Sequence, residues 1–86
     1  MAFFRVDRVA EMPARRAVIL RGETLEGEVR EGMFLVIPWD DENDLVMEID
    51  AVEKQGLAVR WHNELEHALW RQIDLRGRML EVRTQP

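Results

Sequence analysis

Gly22-Glu23-Thr24-Leu25-Glu26-Gly27-Glu28-Val29-Arg30-Glu31-Gly32, with the apolar run Met33-Phe34-Leu35-Val36-Ile37-Pro38 behind it, is the stretch that decides the fold. Its three glycines stand five residues apart. Glycine is the residue that takes positive φ without steric cost, so a regular series reads as turns between short extended pieces. Thr24-Leu25 and Glu28-Val29 are then short links, and Met33 to Ile37 is a strand that Pro38 ends.

Upstream, Phe3 to Met12 reads as a first strand whose uneven Val6/Val9 spacing predicts a bulge near Asp7-Arg8. Pro13 lacks a donor for a ladder, so Met12 to Arg15 is a connection. Ala17-Val18-Ile19-Leu20 is short, continuous and β-branched at its centre, as expected of a strand covered on both faces. Downstream, Trp39 to Asp44 is a polar connection and Leu45 to Lys54 resumes an extended pattern. Met47 and Ile49 share one face there, and Val52 is expected on the core side after Ala51 breaks the register. Gln55-Gly56 reads as a turn. Leu57, Val59 and Trp61 alternate with Ala58, Arg60 and His62, a half-buried strand.

The period then changes. Leu65, Ala68, Leu69 and Ile73 fall at helical spacing, Asn63 stands at an N-cap position and Glu66 follows three residues later. A short helix over 64–73 is predicted, with strand as the competing reading of 57–75. Met79 to Thr84 closes the chain as a strand with Leu80, Val82 and Thr84 on one face. These elements make one mainly β domain over 1–86, a small closed or nearly closed barrel of five or six strands with one short helix late in the chain.

The order of motifs resembles the second, β-barrel domain of translational GTPases of the elongation factor Tu type. Val18-Ile19-Leu20 leading to Gly22, Gly27, Val29 and Gly32 matches that family's Gly-x-x-x-x-Gly-x-[Ile/Val]-x-x-Gly. Val6-Asp7-Arg8-Val9 resembles its opening strand, Met47, Ile49 and Val52-Glu53 a later one, and Arg76-Gly77-Arg78-Met79-Leu80 its closing Arg-Gly-x-Val-Leu. The likeness covers most of 4–54 and 76–82, whereas 57–75 departs from it. The phosphate-binding Gly-x-x-x-x-Gly-Lys-[Ser/Thr] does not occur in this sequence. The resemblance implies a barrel with Gly22, Gly27, Gly32 and Gly77 defining the fold, and contact with an aminoacyl-tRNA end, a ribosome or a partner protein. It transfers no binding residue.

Charge and composition limit the chemistry. The net charge is −5, and residues 39–56 carry seven acids against Lys54 alone, whereas 1–38 balance and 57–86 carry five Arg against four acids. An acidic chain without a basic surplus is a poor binder of phosphate backbones. There is no cysteine, hence no disulfide or Fe–S cluster, and no serine nucleophile. No apolar run reaches the roughly 18 residues of a membrane span, and Met1-Ala2-Phe3-Phe4-Arg5 has no signal-peptide pattern. A cytoplasmic, non-enzymatic protein with no cofactor and no membrane is expected.

Three clusters are candidates for function. His62 and His67, with Glu64 and Glu66, lack the third and fourth converging ligands a metal needs and read as solvated residues at a helix start. Asp40, Asp41, Glu42 and Asp44 crowd one loop without calcium-loop spacing, and read as a solvated hairpin tip or as a docking patch for a basic surface. Trp39, Trp61 and Trp70 are core packing, a stacking platform beside Arg60 and Arg71, or, for Trp70 with Leu69, a protein interface. The first functional expectation is a module that binds an unidentified protein partner through the acidic loop or the Trp-rich segment. An RNA- or ribosome-associated accessory domain is the alternative, and self-association stays open.

Overall fold

The computed structural model describes residues 1–54 and 56–86. Among them are seven strands, β1 Ala2–Met12, β2 Ala17–Glu26, β3 Phe34–Pro38, β4 Asp44–Glu48, β5 Ala51–Glu53, β6 Gly56–Arg60 and β7 Met79–Arg83, with one helix, α1 Glu64–Gln72. Every pairing is antiparallel, in the order β4-β3-β7-β1-β2-β6-β5. The mainly β reading with one late helix holds. The strands number seven rather than five or six, and the ladder is not closed. The extra strand arises because the run from Asp44 to Glu53 is divided at Ile49-Asp50.

That division shapes the molecule. The strands at the two ends of the sheet, β4 and β5, are consecutive in the chain. Ile49 N–H donates to Met33 O on the β3 side at 2.8 Å, and Asp50 N–H donates to Ala58 O on the β6 side at 2.8 Å. One bent run therefore ties the first and last strands of the sheet together, and the sheet curls around a single core. Bulges in β1, at Phe3/Phe4 and Val6/Arg8, add local twist in the sense the curl requires. The second sits where the sequence predicts it. There Val6 turns to the chain after α1, its N–H donating to Arg78 O at 2.9 Å and its C=O accepting from Gly77 N–H at 2.6 Å.

β2 lies between β1 and β6, and Ala17, Val18, Ile19 and Leu20 are all buried, as expected for a strand covered on both faces. Val18 and Leu20 join the core, whereas Ile19 sits beside the small side chains of Ala10 and Ala58 on its neighbours. Ala58 is buried too, so β6 is more enclosed than a half-buried strand. Phe4, Val6, Leu35, Ile37, Ile49, Leu57, Val59, Leu75, Leu80 and Val82 complete most of the core. Every buried residue among those described is apolar. Burying such a side chain contributes roughly 1.5–3 kcal/mol, whereas ion pairs on exposed side chains contribute little. Packing holds this fold.

Four local expectations change. Gly22 is not a turn: it lies inside β2, and a Cβ there would stand 1.8 Å from Arg5 O of the adjacent strand. The glycine permits close approach of two backbones, whereas Gly27, Gly32 and Gly77 do hold positive φ. Thr24 and Leu25 consequently continue β2. The register shifts at Ala51 as expected: Ala51 stands opposite Ala58 on the face of Ile19, and Val52 stands opposite the core residue Leu57. Val52 is nevertheless 48% exposed rather than buried, because β5 is the last strand of the sheet. Thr84 is exposed beyond the end of β7. Of the turn expected at Gln55-Gly56, Gln55 lies outside the described residues and Gly56 opens β6.

The two kinds of glycine are separable by urea unfolding. Gly22→Ala is expected to cost about 3 kcal/mol or more, because β1 must move away from β2. Gly32→Ala, with no atom within 4 Å of the added carbon, is expected to cost only the left-handed strain of about 1–2 kcal/mol. Equal losses would contradict the close-approach assignment.

Candidate interaction surface

The helix decides which tryptophans are available. Asn63 caps it, its side chain accepting from Glu66 N–H at 2.9 Å, and the Glu66 carboxylate reaches back to His62 N–H at 3.3 Å and to the Asn63 side-chain amide at 3.2 Å. The cap is the one the sequence predicts, but the buried face is not. Leu65 is 71% exposed and Ala68 faces solvent, while Trp70 is 5% exposed and His67 and Leu69 are half-buried. The apolar bulk of Trp70 fills the core beside Leu75 and Ile73. Burying it contributes more than burying Leu65 and Ala68 would, so the helix rotates toward it.

Trp61, at 4% exposure, is core as well, and His67 stacks on it with ring centroids 4.0 Å apart and planes 3° from parallel. The Trp61–Trp70 segment thus offers neither a stacking platform nor an exposed aromatic interface. Of the candidate residues Trp61, Leu69 and Trp70, only Leu69 is half-exposed. The Trp70 indole N–H is buried without a hydrogen-bond partner.

The histidines do not converge. His67 Nε2 pairs with Glu11 of β1, whose carboxylate also lies 3.6 Å from Arg71 Nε. The His67 hydrogen bond, helped by the charges of Arg71 and His67, holds the Glu11 carboxyl below its ordinary value. Glu66 is spent on the cap. No group of three or more His, Asp or Glu is placed to hold a metal ion among the described residues. The cluster joins Glu11 of β1 to His67 and Arg71 of α1, which are distant from it in sequence, and that contact has no sequence signature.

The loop between β3 and β4 is different: it is built, and it is exposed. Trp39 N–H and Asp40 N–H both donate to Asn43 O, at 3.0 and 3.2 Å. Asp40 Oδ1 accepts from Glu42 N–H at 2.8 Å and Asn43 N–H at 2.7 Å, and the Asn43 amide donates to both Asp40 oxygens at 3.1 Å. The Asn43 side chain first, and the two backbone donors after it, lower the Asp40 pKa from 3.8. Asp40 is therefore the knot of the loop, exposed like its neighbours but with its carboxylate engaged by the loop's own donors. Asp41, Glu42 and Asp44 are exposed, and Trp39 keeps 39% of its surface in water beside them. The loop brings together a large aromatic and three exposed carboxylates on a hydrogen-bonded backbone.

Asp40→Ala is expected to speed amide exchange at Glu42 and Asn43 by roughly tenfold or more while leaving the unfolding midpoint nearly unchanged. The sign of its pH dependence follows from the lowered pKa: the carboxylate orders the loop fully above 3.8, and the order decays only as pH falls through the lower folded value. Unchanged exchange in the variant would contradict the knot.

Comparisons of the chain with protein-family models, with curated proteins and with solved structures find no match in any of the three.

Proposed function

We propose that this chain is a non-enzymatic interaction module that binds a protein partner through the 39–44 loop. The observation that carries the reading is the Asp40 knot, which holds an exposed Trp39 beside Asp41, Glu42 and Asp44. Binding surfaces gain most from rigid aromatic anchors, because little side-chain entropy is lost, and surrounding charges then select the partner by sign. The exposed carboxylates select a basic surface. The lack of Cys and Ser nucleophiles agrees with a binding role, and a cytoplasmic location belongs to the same reading. No helix is long and apolar enough to cross a membrane among the described residues.

A second reading, an RNA- or ribosome-associated accessory domain, draws on the likeness to the translation-factor barrel. One feature favours it: Arg8, Arg71 and Arg76 line a cavity of about 390 Å³ on the side of the molecule formed by β1 and the end of α1. Against it, Arg71 lies near Glu11 and Arg76 pairs with Asp74 at 3.2 Å, which reduces the positive field a phosphate would meet.

Capture from a lysate of the source organism on the immobilised chain separates the readings. A discrete protein is expected to survive RNase and to be lost from a Trp39→Ala, Asp41→Lys, Glu42→Lys variant; the tryptophan alone is worth roughly 2 kcal/mol, about thirtyfold in affinity, as an anchor. Capture that disappears with RNase would favour the second reading. Equal capture by the variant would contradict the loop assignment.

A further inference from the structure

The ladder leaves the outer edge of β4 without a partner strand among the described residues, since β4 pairs with β3 alone. Alternate residues of an antiparallel strand address opposite neighbours. Ile49 addresses β3 and Asp50 addresses β6, so Val46 and Glu48, in phase with Asp50, turn their N–H and C=O groups away from β3. On the β4 side of Ile49 the two ends of the sheet part. Between β4 and the β6–α1 side lies a groove of about 400 Å³, lined by apolar Phe34, Leu45, Val46, Met47 and Leu69, with Glu48 and Glu66 of one sign and Arg60 and His62 among its polar residues.

We propose that this edge is a strand-addition site for an extended, basic segment of a protein partner, an inference that rests on the reading of the chain as a protein-binding module. An added strand takes its hydrogen bonds from Val46 and Glu48, places alternate apolar side chains in the groove, and sets the others along the outer face. Charge selects the occupant. Asp44 and Glu48 are exposed and flank the partly exposed Val46 on that outer face. A second copy of this chain, pairing antiparallel with fullest overlap about Val46, would set Asp44 opposite Glu48 at both ends. Like charges directly opposite one another destabilise a strand pair, whereas Arg or Lys at those positions stabilises it. The edge thus rejects its own copy and accepts a basic strand. Asp41 and Glu42 extend the same negative strip beyond the end of β4.

The probe is an acetylated, amidated octapeptide of alternating Arg and Val, with the Glu-Val octapeptide as control, titrated into the ¹⁵N-labelled chain. The Arg-Val peptide is expected to slow exchange of the Val46 and Glu48 amides by roughly tenfold or more, less so at high salt, and the Glu-Val peptide to leave them unchanged. Val46→Pro removes an edge donor that β3 does not use and is expected to abolish the effect. Unchanged Val46 and Glu48 exchange in the wild-type chain with the Arg-Val peptide would overturn the proposal, as would equal binding of that peptide by Val46→Pro. If the edge fails while a partner is still lost from the Trp39 loop variant, the interaction-module reading stands. If no protein is captured at all, that reading fails by itself.

Discussion

One short run, Asp44 to Glu53, must serve both ends of a curled sheet, and the rest of the structure depends on it. A sheet of seven short strands has two edges, and leaving both in water would waste hydrogen bonds and expose the core. Here the chain itself crosses from one edge to the other in two residues. Ile49 is buried and bonds toward β3, and Asp50 is exposed and bonds toward β6. The core receives Leu45, Met47 and Ile49 in turn, and the alternation shifts just after the bend, where Ala51 stands opposite Ala58 on the other face. Closure is therefore supplied by connectivity at one point and by packing around it, not by a continuous ladder.

The same arrangement creates the surface to which we assign the proposed partner. Where β4 leaves β6, a sheet edge remains beside a groove, and the loop that begins β4 carries the exposed Trp39 and three exposed acids. No charged side chain is buried among the described residues. The polar invention of the molecule is instead local and exposed: the helix cap at Asn63 and Glu66, the Asp40 knot, and the Glu11–His67 contact that pins α1 to β1.

Local grammar was legible in the sequence wherever one residue sufficed. Pro13 stops a strand, Asn63 starts a helix, and Ala17 to Leu20 reads as an enclosed strand rather than a helix; all three hold in the structure. What required tertiary context was not legible. Gly22 and Gly27 are the same letter five residues apart, yet one answers a neighbouring backbone and the other a turn. The rotation of α1 depends on the volume of core left open for Trp70, which no heptad-like spacing encodes. The acidic loop was visible as charge, but only geometry separates Asp40, which is consumed internally, from Asp41, Glu42 and Asp44. His67 meets Glu11 across the fold, and a contact between such distant positions leaves no pattern in one sequence.

The most direct measurement is native-state hydrogen exchange at the Ile49 and Asp50 amides. If the bent run ties the two ends of the sheet, both amides are expected to exchange as slowly as those of Val18 and Leu20 in β2, through opening of the whole domain. Fast exchange at Ile49 and Asp50, with β2 still protected, would mean that the ends part without unfolding. The central constraint would then be wrong.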